Sequence, residues 1–151
     1  MSGAGIEARI GLTRSAATPM LLLVEDDEIF VELTQTILAE RGLTDDQTLV
    51  ASSMADASLA LCAHEIDLVL ADLSLPDAHG LEVVRRCKEV APDVPIIVLT
   101  ASRDDLAMEA LAQGAQDYLI KGEFDDEDLM RSIRYSIARS RSDAQLRTTL
   151  H

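Results

Sequence analysis

The feature that most constrains this chain is an alternation repeated five times along it. Short apolar runs are followed by stretches with helical periodicity. The runs are Met20 to Val24, Gln47 to Ala51 (the weakest), Asp67 to Ala71, Ile96 to Leu99 and Tyr118 to Ile120. Continuous apolar character, as opposed to an every-second-residue pattern, marks a strand covered on both faces. The first intervening helix carries Ile29, Leu33, Ile37 and Leu38 as its apolar stripe and stops at Gly42. Ser52 or Ser53 caps an Ala-rich helix to about Ala63, and a third runs from Leu81 to Val90, ahead of Pro92. Asp104 and Asp105 open a fourth that Gly114 ends, and a fifth begins near Asp125 and reaches about Arg147. Strands separated by helices pair in parallel, because parallel neighbours need crossover connections. Right-handed crossovers then place helices on both faces. The expected fold is therefore α/β, with its functional site outside the carboxyl ends of the strands.

What stands at those ends is chemically coherent. The first strand runs into Glu25, Asp26, Asp27 and Glu28, the third into Asp72, the fourth into Thr100 and the fifth into Lys121. Carboxylates brought together from two strand exits repel unless a cation sits between them. A hard divalent ion with oxygen ligands, Mg²⁺ in an open rim, answers that need. Asp26 and Asp72 are the first candidates as ligands, with the Ser74 carbonyl as a third. A carboxylate beside Mg²⁺, a hydroxyl and an ammonium is a constellation for phosphoryl transfer. Asp72 would be the nucleophile, Lys121 would neutralise charge on the phosphoryl oxygens, and Thr100 would donate a hydrogen bond to one of them.

Four segments make the resemblance specific: LLLVEDDE (Leu21 to Glu28), DLVLADLSLPDAHGLE (Asp67 to Glu82), PIIVLTA (Pro95 to Ala101) and GAQDYLIKG (Gly114 to Gly122). With these the chain resembles the receiver domain of bacterial two-component response regulators, from about Met20 to Arg139. The resemblance implies a flavodoxin-like, doubly wound five-stranded parallel sheet of strand order 2-1-3-4-5. It places Mg²⁺ at Glu25, Asp26, Asp72 and Ser74, the phosphoacceptor at Asp72, and the hydroxyl and lysine at Thr100 and Lys121. It also implies a switch, in which Thr100 moves toward the phosphoryl group and Tyr118 changes rotamer. The face formed by the fourth helix, fifth strand and fifth helix would then change its partner preference. Phosphoryl groups would come from a sensor histidine kinase or a histidine phosphotransfer protein, and a homodimer is compatible with the family. The chain departs from the family at Gly122, where a proline, often after a cis bond, is usual. A non-proline cis bond costs about 3–4 kcal/mol, so a trans bond is expected here.

Two other readings remain in view. A haloacid-dehalogenase-like phosphatase also uses a strand-end Asp, but needs a second acid two residues on, where this chain has Ser74. A receiver-like fold can also serve as an unphosphorylated interaction module. In either case Asp104, Asp125 and Asp126 read as helix caps.

The remainder of the sequence narrows the class. A formal net charge of −14 opposes the basic footprint that nucleic acid demands. No apolar run reaches the roughly 18 residues that would cross a bilayer, and a cytoplasmic location is expected. Cys62 and Cys87 read as buried, inert thiols, not as a disulfide framework. His64, His79 and His151 lack metal-ligand spacing and are expected to face solvent. The glycine pattern at Gly3 to Ala8 follows no strand and is discounted as a dinucleotide site. Residues 1–19 read as a flexible leader, 20–139 as the domain, and 140–151 as a helical extension or tail. That tail is open to use as a linker, a dimerising helix or a frayed end. Leu129, Ile133 and Ile137 recur every four residues and are expected against the sheet.

Overall fold

The computed structural model describes residues 19–101 and 105–150. Apart from Pro19, the expected leader lies outside these residues, as do Asp104 and His151. The elements follow in the order β1 (Leu21–Val24), α1 (Glu28–Glu40), β2 (Thr48–Ala51), α2 (Met54–Ala63), β3 (Leu68–Asp72), α3 (Leu81–Val90), β4 (Ile96–Thr100), α4 (Asp105–Ala112), β5 (Asp117–Ile120) and α5 (Asp126–Leu150). The five strands form one parallel sheet in the order β2-β1-β3-β4-β5, as expected.

Strand periodicity divides the core in two. Leu21, Leu23, Leu68, Leu70, Ile97, Leu99 and Leu119 face one side, where Leu38 of α1 and Leu129, Ile133 and Ile137 of α5 cover them. Leu22, Val24, Val69, Ala71, Ile96 and Val98 face the other, against Met54, Ala57 and Leu61 of α2, Val83, Val84 and Cys87 of α3, and Ala110 of α4. Both faces of the central strands are thus dry, which is why β3 and β4 read as continuous apolar runs.

Two local expectations need correction. On α1, Ile29 and Leu33 are 73% and 59% exposed. The face that packs inward is Phe30, Val31, Thr34, Ile37 and Leu38. Packing on the sheet sets this phase, since a one-residue step turns a side chain 100° around the axis, and Asp27 Oδ1 caps the helix start by accepting the amides of Ile29 and Phe30. Cys62 is exposed for the same reason, because its neighbour Leu61 takes the inward position on α2; Cys87 is buried as expected. The loop after β3 contains a small antiparallel ribbon, Ser74–Leu75 against Ala78–His79, which folds because Leu75 and Ala78 are both buried.

The α5 start is a reciprocal cap: Asp125 Oδ1 accepts the Asp128 amide, and Asp128 Oδ2 accepts that of Asp125. The helix continues unbroken to Leu150, and Ser140 Oγ donates to the Asp93 carbonyl in the α3–β4 turn.

Candidate phosphoryl-acceptor site

Sheet register brings the expected residues together. Val24 pairs with Ala71, so the next residues, Glu25 and Asp72, leave neighbouring strands side by side. Glu25, Asp72 and Lys121 continue the alternation of Leu23, Leu70 and Leu119, and so rise on the α1/α5 side of the sheet. Thr100 continues that of Val98 and stands on the opposite side, which Tyr118 shares.

Lys121 Nζ lies 2.6 Å from Glu25 Oε1 and 3.2 Å from Asp72 Oδ2. Its ammonium also sits 4.5 Å from the centroid of the Phe30 ring, a cation–π contact. The Ser74 amide donates to Asp72 Oδ1 at 3.2 Å, and the Asp27 amide to Glu25 Oε2 at 3.2 Å. Glu25 and Asp72 are buried, whereas Asp26 is exposed. Asp72, Ser74, Thr100, Ala101, Leu106 and Lys121 line an open pocket of about 330 Å³.

The charges are unbalanced. Burial pushes the Glu25 carboxyl up to about 7; the Lys121 ammonium works against this shift, and neighbouring Asp72 adds to it. Burial alone would lower Lys121, but its bond to Glu25 and the charge on Asp72 outweigh it and hold the ammonium above its ordinary range. Glu25, Asp26 and Asp72 each offer an oxygen within 4.8 Å of the others. Among the described residues these three carboxylates face the Lys121 ammonium and form an all-oxygen donor set that suits a hard divalent cation. Asp27, next in line, is occupied as the α1 cap.

Thr100 ends β4 in a buried position, and its carbonyl accepts the Lys121 amide at 2.8 Å. Tyr118 is half-buried and packs against the core on the α2–α4 side. It also lines a groove with Phe124, Arg131 and Tyr135 on the β5–α5 surface. Gly122 has φ +83° in the turn closed by the Glu123 amide on the Ile120 carbonyl, and every peptide bond among the described residues is trans. That φ is closed to proline. Phe30 was not anticipated beside Lys121; the phase of α1 places it there. His64 and His79 face solvent.

The family model for the response regulator receiver domain matches residues 21–134, and the chain belongs to that family. Among its relatives are the transcriptional regulatory proteins AruR and GltR of Pseudomonas aeruginosa. AruR is 38% identical over 70% of this chain and 44% of its own length, and GltR 36% identical over 83% and 52%. The chain thus spans about half the length of these relatives. The solved receiver domain of the P. aeruginosa sensor histidine kinase PA1611 superposes with a TM-score of 0.70 at 28% identity, covering 81% of this chain and 99% of that one. That structure holds a magnesium ion in its active-site cleft. Among the described residues of the present chain, no helix is long and apolar enough to cross a membrane.

Proposed function

We propose that this chain accepts a phosphoryl group on Asp72 in a Mg²⁺-dependent reaction and signals through a change on its α4–β5–α5 face. The observation that carries this reading is that Lys121 Nζ contacts both Glu25, at 2.6 Å, and Asp72, at 3.2 Å, with Asp72 and Lys121 lining one pocket. An Asp72 carboxylate oxygen attacks the phosphorus of a phosphohistidine on a sensor kinase or phosphotransfer protein. The new O–P bond forms as the P–N bond breaks, and the electron pair leaves with the imidazole. Lys121 keeps its ammonium beside Asp72 and faces the developing charge on the phosphoryl oxygens. Thr100 supplies a hydroxyl to one of them from the opposite wall of the pocket. Glu25, Asp26, Asp72 and the Ser74 carbonyl would hold Mg²⁺, which when bound offsets carboxylate and phosphoryl charge.

Tyr118 shares its sheet face with Thr100, so movement of Thr100 toward a phosphoryl group opens space into which the ring can turn. The β5–α5 groove lined by Tyr118 is then remodelled for a partner. Residues 20–139 form the receiver unit and 140–151 its extension, in a cytoplasmic setting where kinase and receiver meet; the output partner is a protein, and pairing of two copies is compatible with the same face. Incubation with Mg²⁺ and acetyl phosphate should add one phosphoryl group by intact mass, and Asp72→Asn should abolish the gain. A folded wild-type sample that gains no mass refutes this reading.

A further inference from the structure

The ribbon after β3 presents Asp77 at its tip, and Asp77 does not belong to the pocket. Its two carboxylate oxygens instead accept backbone amides from the start of α2: Met54 N at 2.7 Å and Ala55 N at 2.9 Å. These contacts span more than twenty residues of sequence. The helix already has a cap of its own, since Ser53 Oγ accepts the Asp56 amide at 3.1 Å. The first amides of an α-helix lack partners within it, and Asp77 takes two of them from another segment.

The other end of this connection is the candidate site. Within the loop, the Gly80 amide donates to the Leu73 carbonyl at 2.6 Å and the Ser74 amide to Asp72 Oδ1 at 3.2 Å. The ribbon and buried Leu75 and Ala78 make the segment from Asp72 to Gly80 a single short piece. On the α2 side, the chain just before Met54 includes Ala51, whose carbonyl accepts the Glu25 amide at 2.9 Å. Asp77 therefore ties the loop that leaves Asp72 to the same β2–α2 corner that holds the Glu25 backbone.

We propose that Asp77 is a positioning residue: its paired bonds to Met54 and Ala55 fix the 72–80 loop, and through it the Asp72 carboxylate and Ser74, relative to the Glu25–Asp26 corner. This rests on the reading of Asp72 given above. Because the chelating oxygens come from two strand exits and one loop, a loose loop weakens cation binding without touching a ligand. Loss of such an outer support commonly lowers metal affinity about tenfold or more.

The test compares Asp77→Ala with Ser53→Ala, which removes a cap bond from the same helix and leaves the loop contacts alone. Mg²⁺ affinity by calorimetry, the rate of acetyl phosphate labelling and amide exchange at Ser74 and Gly80 are measured on the full chain. The proposal expects Asp77→Ala to lose about tenfold in Mg²⁺ affinity, to label more slowly at subsaturating Mg²⁺, and to exchange faster at both amides. Ser53→Ala should match wild type in all three, and Asp77→Asn, which keeps one acceptor oxygen, should recover part of the loss. An Asp77→Ala protein that loses stability yet keeps wild-type Mg²⁺ affinity and loop exchange overturns the proposal, leaving Asp77 a helix cap only. If wild type takes no phosphoryl group, the reading of Asp72 falls separately. The exchange comparison then decides the tether: faster loop exchange in Asp77→Ala upholds it, unchanged exchange overturns it.

Discussion

Lys121 Nζ lies 2.6 Å from Glu25 Oε1, although burial works against charge on both groups. The pair lies on the α1/α5 side of the sheet, with Asp72 as its third member and the Phe30 ring beneath the ammonium. Among the described residues, Lys121 is the ammonium that offsets charge on both carboxylates.

That balance makes stability respond to pH through Glu25. Its folded value is raised from 4.5 to about 7, so between these values the folded chain holds a proton that the unfolded chain releases. The stability this contributes is fully present below about 4.5 and is lost as pH rises through 7. Without divalent cations, wild type should lose stability relative to Glu25→Gln between pH 5 and pH 8, on the order of 2 kcal/mol. Urea melts of both proteins at the two pH values check this, and parallel curves refute it.

Replacing the lysine should expose the same imbalance. Lys121→Met leaves Glu25 and Asp72 adjacent without their ammonium. Because the lysine is partly exposed, we expect a loss of about 1–2 kcal/mol in the absence of Mg²⁺, below the usual cost of breaking a fully buried pair. Added Mg²⁺ should raise the melting temperature of the variant more than that of wild type. Equal increments would show that the lysine and the cation do not share the carboxylates.

Gly122 offers a backbone test. A Cβ there meets nothing within 4 Å, so substitution is opposed by φ +83° alone. Gly122→Ala should cost about 1 kcal/mol, and Gly122→Pro distinctly more, because proline cannot reach a positive φ. Denaturant midpoints of the two variants, in that order, are the measurement.

The two thiols should separate cleanly. Cys62 is exposed, whereas Cys87 is 1% exposed and burial pushes its thiol up to about 11. A thiol-specific reagent at pH 8 should label Cys62 in the native protein and reach Cys87 only on unfolding. Rapid labelling of both refutes the packing given for α3.

The sequence alone determined the sheet, because β3 and β4 are dry on both faces and can show that only as unbroken apolar runs. It also determined which residues end the strands, since Asp72, Thr100 and Lys121 directly follow such runs. Rotation and long-range contact were not legible in it. Ile29 and Leu33 look like a buried stripe until packing on the sheet sets the phase of α1 and turns Phe30 toward Lys121 instead. Asp77 reads as an ordinary turn residue until the ribbon carries it to the amides of α2. Apolar periodicity encodes which side chains leave water, and so reports elements and their order. The angle at which a helix presents its sides, and which distant amide a carboxylate finds, are decided by packing among elements that are far apart along the chain.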